Sequence, residues 1–234
     1  DAATPEALSG AVQQWLDAVL PAPLYLRSAL QSAGGEAALL PADLAEAVAR
    51  LPGVERVEPL RASPVQLDPA RPALTVVARP LGSDPASRLP LVGAALPVPA
   101  GRTAIYLSEA AVELYGLRPG MDWPEFSRSF EPPAQAVQWR IAPFFIAGVW
   151  RDYARQTGAV ALDLADYQRL TGDTRASDLA VWPGAGADLA ALRQATEALA
   201  ARGAPPLEWV SADAIRKRSL RIFDRSFAVT YWLQ

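Results

Sequence analysis

Few residues in this chain have the type and spacing to do chemistry. There is no histidine and no cysteine, which removes Ser-His and Cys-His nucleophilic catalysis, imidazole and thiolate metal ligands, disulfides and the usual proton shuttle of neutral pH. What remains is carboxylates and one lysine. Glu109 and Glu113 stand at helical i,i+4 spacing, and Asp163 and Asp166 flank the end of an apolar run. Two carboxylates suffice for glycosidic cleavage, one as acid and one as base or nucleophile. A chain with 25 acidic residues produces such pairs by composition, however, and solvated surface is the ordinary place for them.

Lys217 is the sole lysine, set in Arg216-Lys217-Arg218-Ser219-Leu220-Arg221. A nucleophilic lysine needs a desolvated site to lose its proton; a lysine in a basic run on a helix face is a solvated charge. Phosphate-binding GxxxxGK[ST], dinucleotide-binding GxGxxG and nucleophile-elbow GxSxG patterns are all absent. The aromatic group Trp139, Phe144, Phe145, Trp150 and Tyr153 could line a ligand box. In a β-rich run such residues normally pack a core. Neighbouring Phe144 and Phe145 must point to opposite faces of a strand, which leaves one of them available to a partner.

The elements that position these residues follow from periodicity. Pro5–Val19 is an amphipathic helix with Leu8, Val12, Trp15, Leu16 and Val19 on one side, halted by Pro21 and Pro23. A second helix is expected over residues 41–51, and strands near 24–30, 54–67 and 73–79. Prolines at 80, 85, 90, 97 and 99 suggest a linker into a second unit. There the expectations are a strand at 103–107, a Ser108-capped helix closed by Gly116, strands at 137–149 and 159–162, and a short helix at 165–170. A strand at 179–182, a helix opened by Asp188, a strand at 207–210 and a final helix from Ser211 complete the series. The four strands 24–30, 54–67, 73–79 and 178–182 should share one sheet, with Leu44, Val48, Leu192 and Leu199 in its core.

Charge is concentrated at the C-terminal side. Residues 216–225 carry five basic groups and one Asp, while the whole 234-residue chain has a net charge of −3. That balance implies no nucleic-acid partner. The basic residues Arg216, Lys217, Arg218, Arg221 and Arg225 lead into residues 226–234, which are uncharged and contain Phe227, Tyr231 and Trp232. Arginines followed by an aromatic belt are what a helix presents where it enters a membrane, although the positive-inside tendency alone would put these arginines on the cytoplasmic side. An ordinary amphipathic terminal helix accounts for the segment equally well.

Four stretches carry a family resemblance: LPGVERVEPL (51–60), TAIYLSEAAVELYGLRPGM (103–121), FFIAGVWRDYARQTGAVALDLADYQRLTGD (144–173) and SLRIFDRSFAVTYWLQ (219–234). In their order, and in the turn Tyr115-Gly116-Leu117-Arg118-Pro119-Gly120, the chain resembles the extracytoplasmic domain of FtsX/MacB-type ABC transporter permeases.

The resemblance implies an α+β fold. A ferredoxin-like (porter-type) part, 21–90 with 174–210, would carry a smaller β-rich inserted (sabre-type) subdomain, 91–173. The terminal helices 1–20 and 211–234 would be stalks, the second leading to a transmembrane helix. It further implies a periplasmic, non-enzymatic domain that binds no cofactor and transmits ATP-driven motion. Its partners would be a cytoplasmic ATP-binding subunit, a second permease copy or paralogue, and an extracytoplasmic protein or lipoprotein. Membrane-proximal basic residues (Arg216, Lys217, Arg218, Arg221, Arg225) and interface aromatics (Phe227, Tyr231, Trp232) follow from the same picture. A small secreted carboxylate-dependent hydrolase, such as a glycosidase, is the competing expectation. Residues 123–133 match no motif of the family.

Overall fold

The computed structural model describes residues 5–30, 38–130 and 144–232. The chain divides into two compact units, residues 1–58 with 178–234, and residues 59–177. Strand β2 passes from the first into the second.

The first unit opens with α1 (Pro5–Val19), followed by β1 (Leu24–Ser28), α2 (Leu44–Ala49) and the first residues of β2 (Val54–Val65). It resumes, counting elements in chain order, with β7 (Asp178–Pro183), α6 (Leu189–Ala200), β8 (Leu207–Ser211) and α7 (Ala212–Trp232). Strand order is β2–β7–β1–β8, and β1 is antiparallel to both neighbours. Omitting the terminal helices, the succession β1-α2-β2-β7-α6-β8 is the β-α-β-β-α-β pattern of ferredoxin-like folds. The expected core positions Leu44, Val48 and Leu192 are buried; Leu199 is only half-buried. The Asp188 carboxylate accepts from Ala190 N–H (3.0 Å), which starts α6 as the sequence predicts.

The second unit is built on the rest of β2, β3 (Leu74–Arg79), β4 (Thr103–Ser108), α3 (Glu109–Tyr115), α4 (Pro124–Arg128), β5 (Phe144–Trp150), β6 (Ala159–Asp163) and α5 (Leu164–Thr171). Its strands run in the order β5–β4–β6–β3–β2. β3 is parallel to β6 and β4 is parallel to β5, while β2–β3 and β4–β6 are antiparallel. Both faces of this mixed sheet are covered. Ile105, Phe144, Ile146, Val160 and Leu162 pack on one side with residues of α3, α4 and α5. Tyr106, Phe145, Ala147, Trp150 and Ala161 pack on the other with Leu81 and Leu89. That is why the strands read as near-continuous apolar runs rather than alternating ones.

Residues 59–177 form this unit, which begins before the 90/91 boundary that the resemblance implied. The reason is the length of β2: β3 folds back antiparallel on its second half, Arg61 opposite Ala78 through Val65 opposite Leu74. The proline-rich stretch 80–101 is accordingly no linker. It lies inside the second unit with Leu81 and Leu89 buried, and it runs along the outer edge of β5. Val92 N–H donates to Val149 O (2.8 Å), Leu96 N–H to Ala147 O (2.7 Å) and Arg151 N–H to Pro90 O (3.0 Å). Residues 120–122 cover the remainder, with Ile146 N–H donating to Met121 O (3.0 Å).

Local signals explain the helix ends nearby. The Ser108 hydroxyl accepts from Ala111 N–H at 3.2 Å and Gly116 closes α3 at φ +63°. Gly158 is required by contact as well as by its φ of +99°: a Cβ there would lie 3.2 Å from Ala111.

Candidate functional site

The feature with the clearest directional charge is the pair of terminal helices, both in the first unit. α1 buries Val12, Trp15 and Leu16, the stripe its periodicity predicts. α7 begins where the Ser211 hydroxyl accepts from Ala214 N–H (3.0 Å), with Asp213 in its first turn, where a negative charge suits the helix dipole. Its 21 residues make a rod of about 30 Å at 1.5 Å per residue. Arg216 turns toward α1 and forms an ion pair with Asp17. Lys217, Arg218 and Arg221 point outward and are exposed. At 100° per residue these three fall within an arc of roughly 100° on the helix surface. Ile222 is exposed beside them, at 56%. The backbone of Arg225, Phe227, Tyr231 and Trp232 continues α7; their side chains lie outside the described residues. Among the described residues no helix is long and apolar enough to cross a membrane.

Three of the four carboxylates that could have formed an acid/base pair are otherwise engaged. Glu109 accepts from Arg151 Nε at 3.2 Å, and Glu113 is exposed. Asp163 caps α5 through Ala165 N–H (3.2 Å) and accepts from Leu81 N–H (2.9 Å), while Asp166 pairs with Arg169 at 3.2 Å. No group of three or more acidic residues among those described could hold a metal ion. Lys217 sits on the open face of α7, not in a desolvated pocket.

The aromatics are core. Phe144, Phe145 and Trp150 are buried, and Phe144 and Phe145 do face opposite sides of the sheet, yet both sides are covered and neither ring is offered to a partner. The Trp150 indole N–H donates to Tyr106 O at 3.0 Å. Tyr153 is half-buried, and Trp139 lies outside the described residues. Sequence reasoning missed α4 and its role. Trp123 and Phe126 are stacked at 5.1 Å, and Phe126 also meets Phe130 and Phe144 at 5.0 Å each. The unmatched stretch 123–133 is therefore, in its described part, an aromatic wedge under β5.

Two charge clusters also went unread. Arg27 pairs with Glu208 at 2.7 Å and stands opposite Asp178 in the β1–β7 register. Burial pushes the Asp178 carboxyl up from its ordinary range, partly countered by Arg27. In the second unit the buried Arg61 guanidinium meets Asp173 at 3.1 Å and donates to Arg175 O at 3.1 Å. Asp173 is held well below the usual carboxylate range, chiefly by hydrogen bonds from Arg175 and with a further contribution from Arg61. Only an i,i+2 spacing, Asp173-x-Arg175, hints at this locally; Arg61 arrives from a strand more than a hundred residues away.

No protein-family model and no curated protein matches the sequence. Solved structures do match. The periplasmic region of MacB from Actinobacillus actinomycetemcomitans superposes with a TM-score of 0.51 at 14% identity, over 90% of this chain and 98% of that one. The extracellular domain of the noncanonic ABC-type transporter YknZ from Gram-positive bacteria does so with a TM-score of 0.50 at 13% identity, over 80% and 99%. At the level of fold, therefore, the resemblance read from the sequence holds: this chain is an α+β domain similar in structure to the extracytoplasmic domains of MacB and YknZ.

Proposed function

We propose that the chain is the periplasmic (extracytoplasmic) domain of an ABC transporter permease. One observation carries the reading: the likeness spans nearly all of both the chain and the MacB periplasmic region. In this reading α1 and α7 are stalks rising from the membrane, and α7 leads to a transmembrane helix. The ferredoxin-like unit is the porter-type part. The unit formed by residues 59–177, which contains the expected insert 91–173, is the sabre-type part. The domain has no catalytic role. A cytoplasmic ATP-binding subunit supplies the work, a second permease copy or paralogue completes the transporter, and motion passes through the stalks to an extracytoplasmic substrate, protein or lipoprotein.

The ion pair between Asp17 and Arg216 supports the stalk assignment, because it ties the first helix to the last. A loop that leaves a membrane and returns to it needs its two ends together. Lys217, Arg218 and Arg221, with Arg225, are then membrane-proximal cations that meet lipid phosphates, and Phe227, Tyr231 and Trp232 occupy the headgroup belt.

Protease protection tests the topology. In spheroplasts expressing the full-length gene product, protease added from outside should cleave within this chain and leave a membrane-embedded remainder. Protection of the chain until the cells are lysed would overturn the proposal.

A further inference from the structure

Strand β8 ends the strand order of the sheet. β1 pairs with one side of it, and no backbone hydrogen bond reaches its other side among the described residues. The register identifies the open groups. Ala212 N–H donates to Pro23 O (2.9 Å) and Ala29 N–H to Pro206 O (2.7 Å). Such pairs recur at every second residue of an antiparallel ladder, so Glu208 and Val210 bond to β1, while Leu207 and Trp209 turn their backbone groups outward. The Trp209 side chain lies on the α6 side of the sheet, where its indole donates to Thr196 Oγ1 at 3.0 Å.

On that same side a cleft of about 260 Å³ is lined by Leu24, Leu189, Leu192, Arg193 and Trp209. It is smaller than the roughly 300–1,000 Å³ of a site that encloses a whole small molecule, and it suits a single apolar side chain. Leu192 is 2% exposed and Leu189 52%, so the cleft has a closed floor and an open rim. Arg193 is exposed and makes no ion pair among the described residues. The Asp188 carboxylate is taken up by Ala190 and Ala191 N–H at the start of α6, and exposed Glu197 stands one turn further along without bridging to Arg193. A pre-ordered backbone template, a recess for one apolar side chain and an unpaired cation therefore lie together. An extended chain laid on the β8 edge engages all three. In antiparallel pairing the residue opposite Trp209 exchanges both backbone hydrogen bonds with it and places its side chain on the same face, toward the cleft. Side chains two positions away share that face, about 7 Å along the strand, within reach of an arginine.

We propose that the β8 edge and this cleft form a peptide-docking site. Its occupant is an extended segment of a partner protein, with an apolar residue opposite Trp209 and an Asp or Glu two positions from it. Backbone hydrogen bonds hold the segment, the cleft selects the apolar residue and Arg193 the acid. The inference rests on the edge, the cleft and the cation, and does not depend on the transporter reading.

Panning random eight-residue peptides, displayed between fixed flanks, on the 234-residue chain tests the site. Enrichment of an apolar-x-acidic pattern is expected. Selected peptides, synthesised with both ends blocked, should bind Arg193→Gln about tenfold more weakly than the parent chain, whereas their acid-to-amide analogues should bind the two chains equally. Leu189→Glu, at an exposed rim position, should weaken binding while melting like the parent. The backbone contribution has its own readout on the peptide: N-methylation should abolish binding at alternate positions and be tolerated between them. Absence of any enriched peptide would overturn the proposal, including the case in which concentration-dependent sedimentation shows the edge occupied by a second copy. So would selected peptides indifferent to Arg193→Gln, or N-methylation without the alternation.

Discussion

Arg61 and Asp173 meet at 3.1 Å, joining the second half of β2 to the segment that follows α5. The guanidinium side chain is only 8% exposed and the carboxylate side chain 21%, and Arg175 approaches the same carboxylate from the solvent side at 2.9 Å. Its folded-state pKa lies below its unfolded value, so deprotonation favours the folded chain. That stability is present above the ordinary carboxylate range and is lost as pH falls through it toward the depressed folded value. Removing the carboxylate should flatten the acid limb of the stability profile. Asp173→Asn is expected to lower the melting temperature most at pH 7 and by a smaller margin at pH 3, where the unfolded carboxylate has begun to protonate but the folded one is still ionised, while Arg61→Gln should cost about 2 kcal/mol at neutral pH. Equal effects of Asp173→Asn at both pH values would show that the charge contributes nothing.

Phe126 should be the most sensitive position of the aromatic wedge. It is fully buried and touches Trp123, Phe130 and Phe144. Truncation to Ala is expected to cost about 3–5 kcal/mol, measured by urea denaturation. A loss under about 1 kcal/mol would mean that α4 is not part of the core.

In the first unit, the contrast between two leucines of α6 is diagnostic. Leu192 is 2% exposed and Leu199 half-buried. Leu192→Ala should cost about 2–5 kcal/mol and Leu199→Ala distinctly less, read as the shift in denaturation midpoint at constant slope. The reverse order would contradict the packing of this helix.

The stalk reading makes a distance prediction. Spin labels on cysteines introduced at residues 10 and 222 should lie within roughly 20 Å, since packed helices approach to about 8–10 Å between axes. Separations beyond about 40 Å, longer than the α7 rod, would sink the pairing of the ends.

The basic face of α7 should bind anionic lipid. Co-sedimentation with vesicles containing phosphatidylglycerol is expected to exceed that with neutral vesicles and to fall with added salt, and the partition coefficient to drop about a hundredfold when Lys217, Arg218 and Arg221 are all changed to Gln, at about 1 kcal/mol per cation near a charged surface. Indifference to vesicle charge would remove the membrane-proximal assignment from these three residues.

What could be read in advance follows the range of the forces involved. Helix starts and stops are local, and Ser108, Gly116 and Asp188 announced theirs. The placement of Phe144 and Phe145 on opposite faces followed from the two-residue period of a strand, though not the burial of both. The unit boundary did not, because prolines at 80–101 mark irregular backbone and say nothing about where that backbone packs. Here it lines the edge of β5. The five-residue α4 gave no periodic signal, and its Trp123 and Phe126 are recognisable as core only once β5 lies over them. Arg61 on β2 offered no clue to Asp173, since their meeting depends on tertiary pairing. The carboxylate pairs show the opposite error: Glu109/Glu113 and Asp163/Asp166 have suggestive spacing, but caps and ion pairs account for three of the four.

The Asp17–Arg216 contact joins positions 199 residues apart, and that separation has a kinetic meaning. Closing a loop of that length carries an entropic cost that grows as 1.5RT ln n, about 5 kcal/mol here. Contacts so distant in sequence form after the local ones have narrowed the search. The α1–α7 seam is therefore expected to zip last and open first, and amide protons there should exchange through openings smaller than global unfolding. Any external tether that holds the two helix ends near each other shortens the effective loop. It turns the last step of folding in the free chain into one that is already complete.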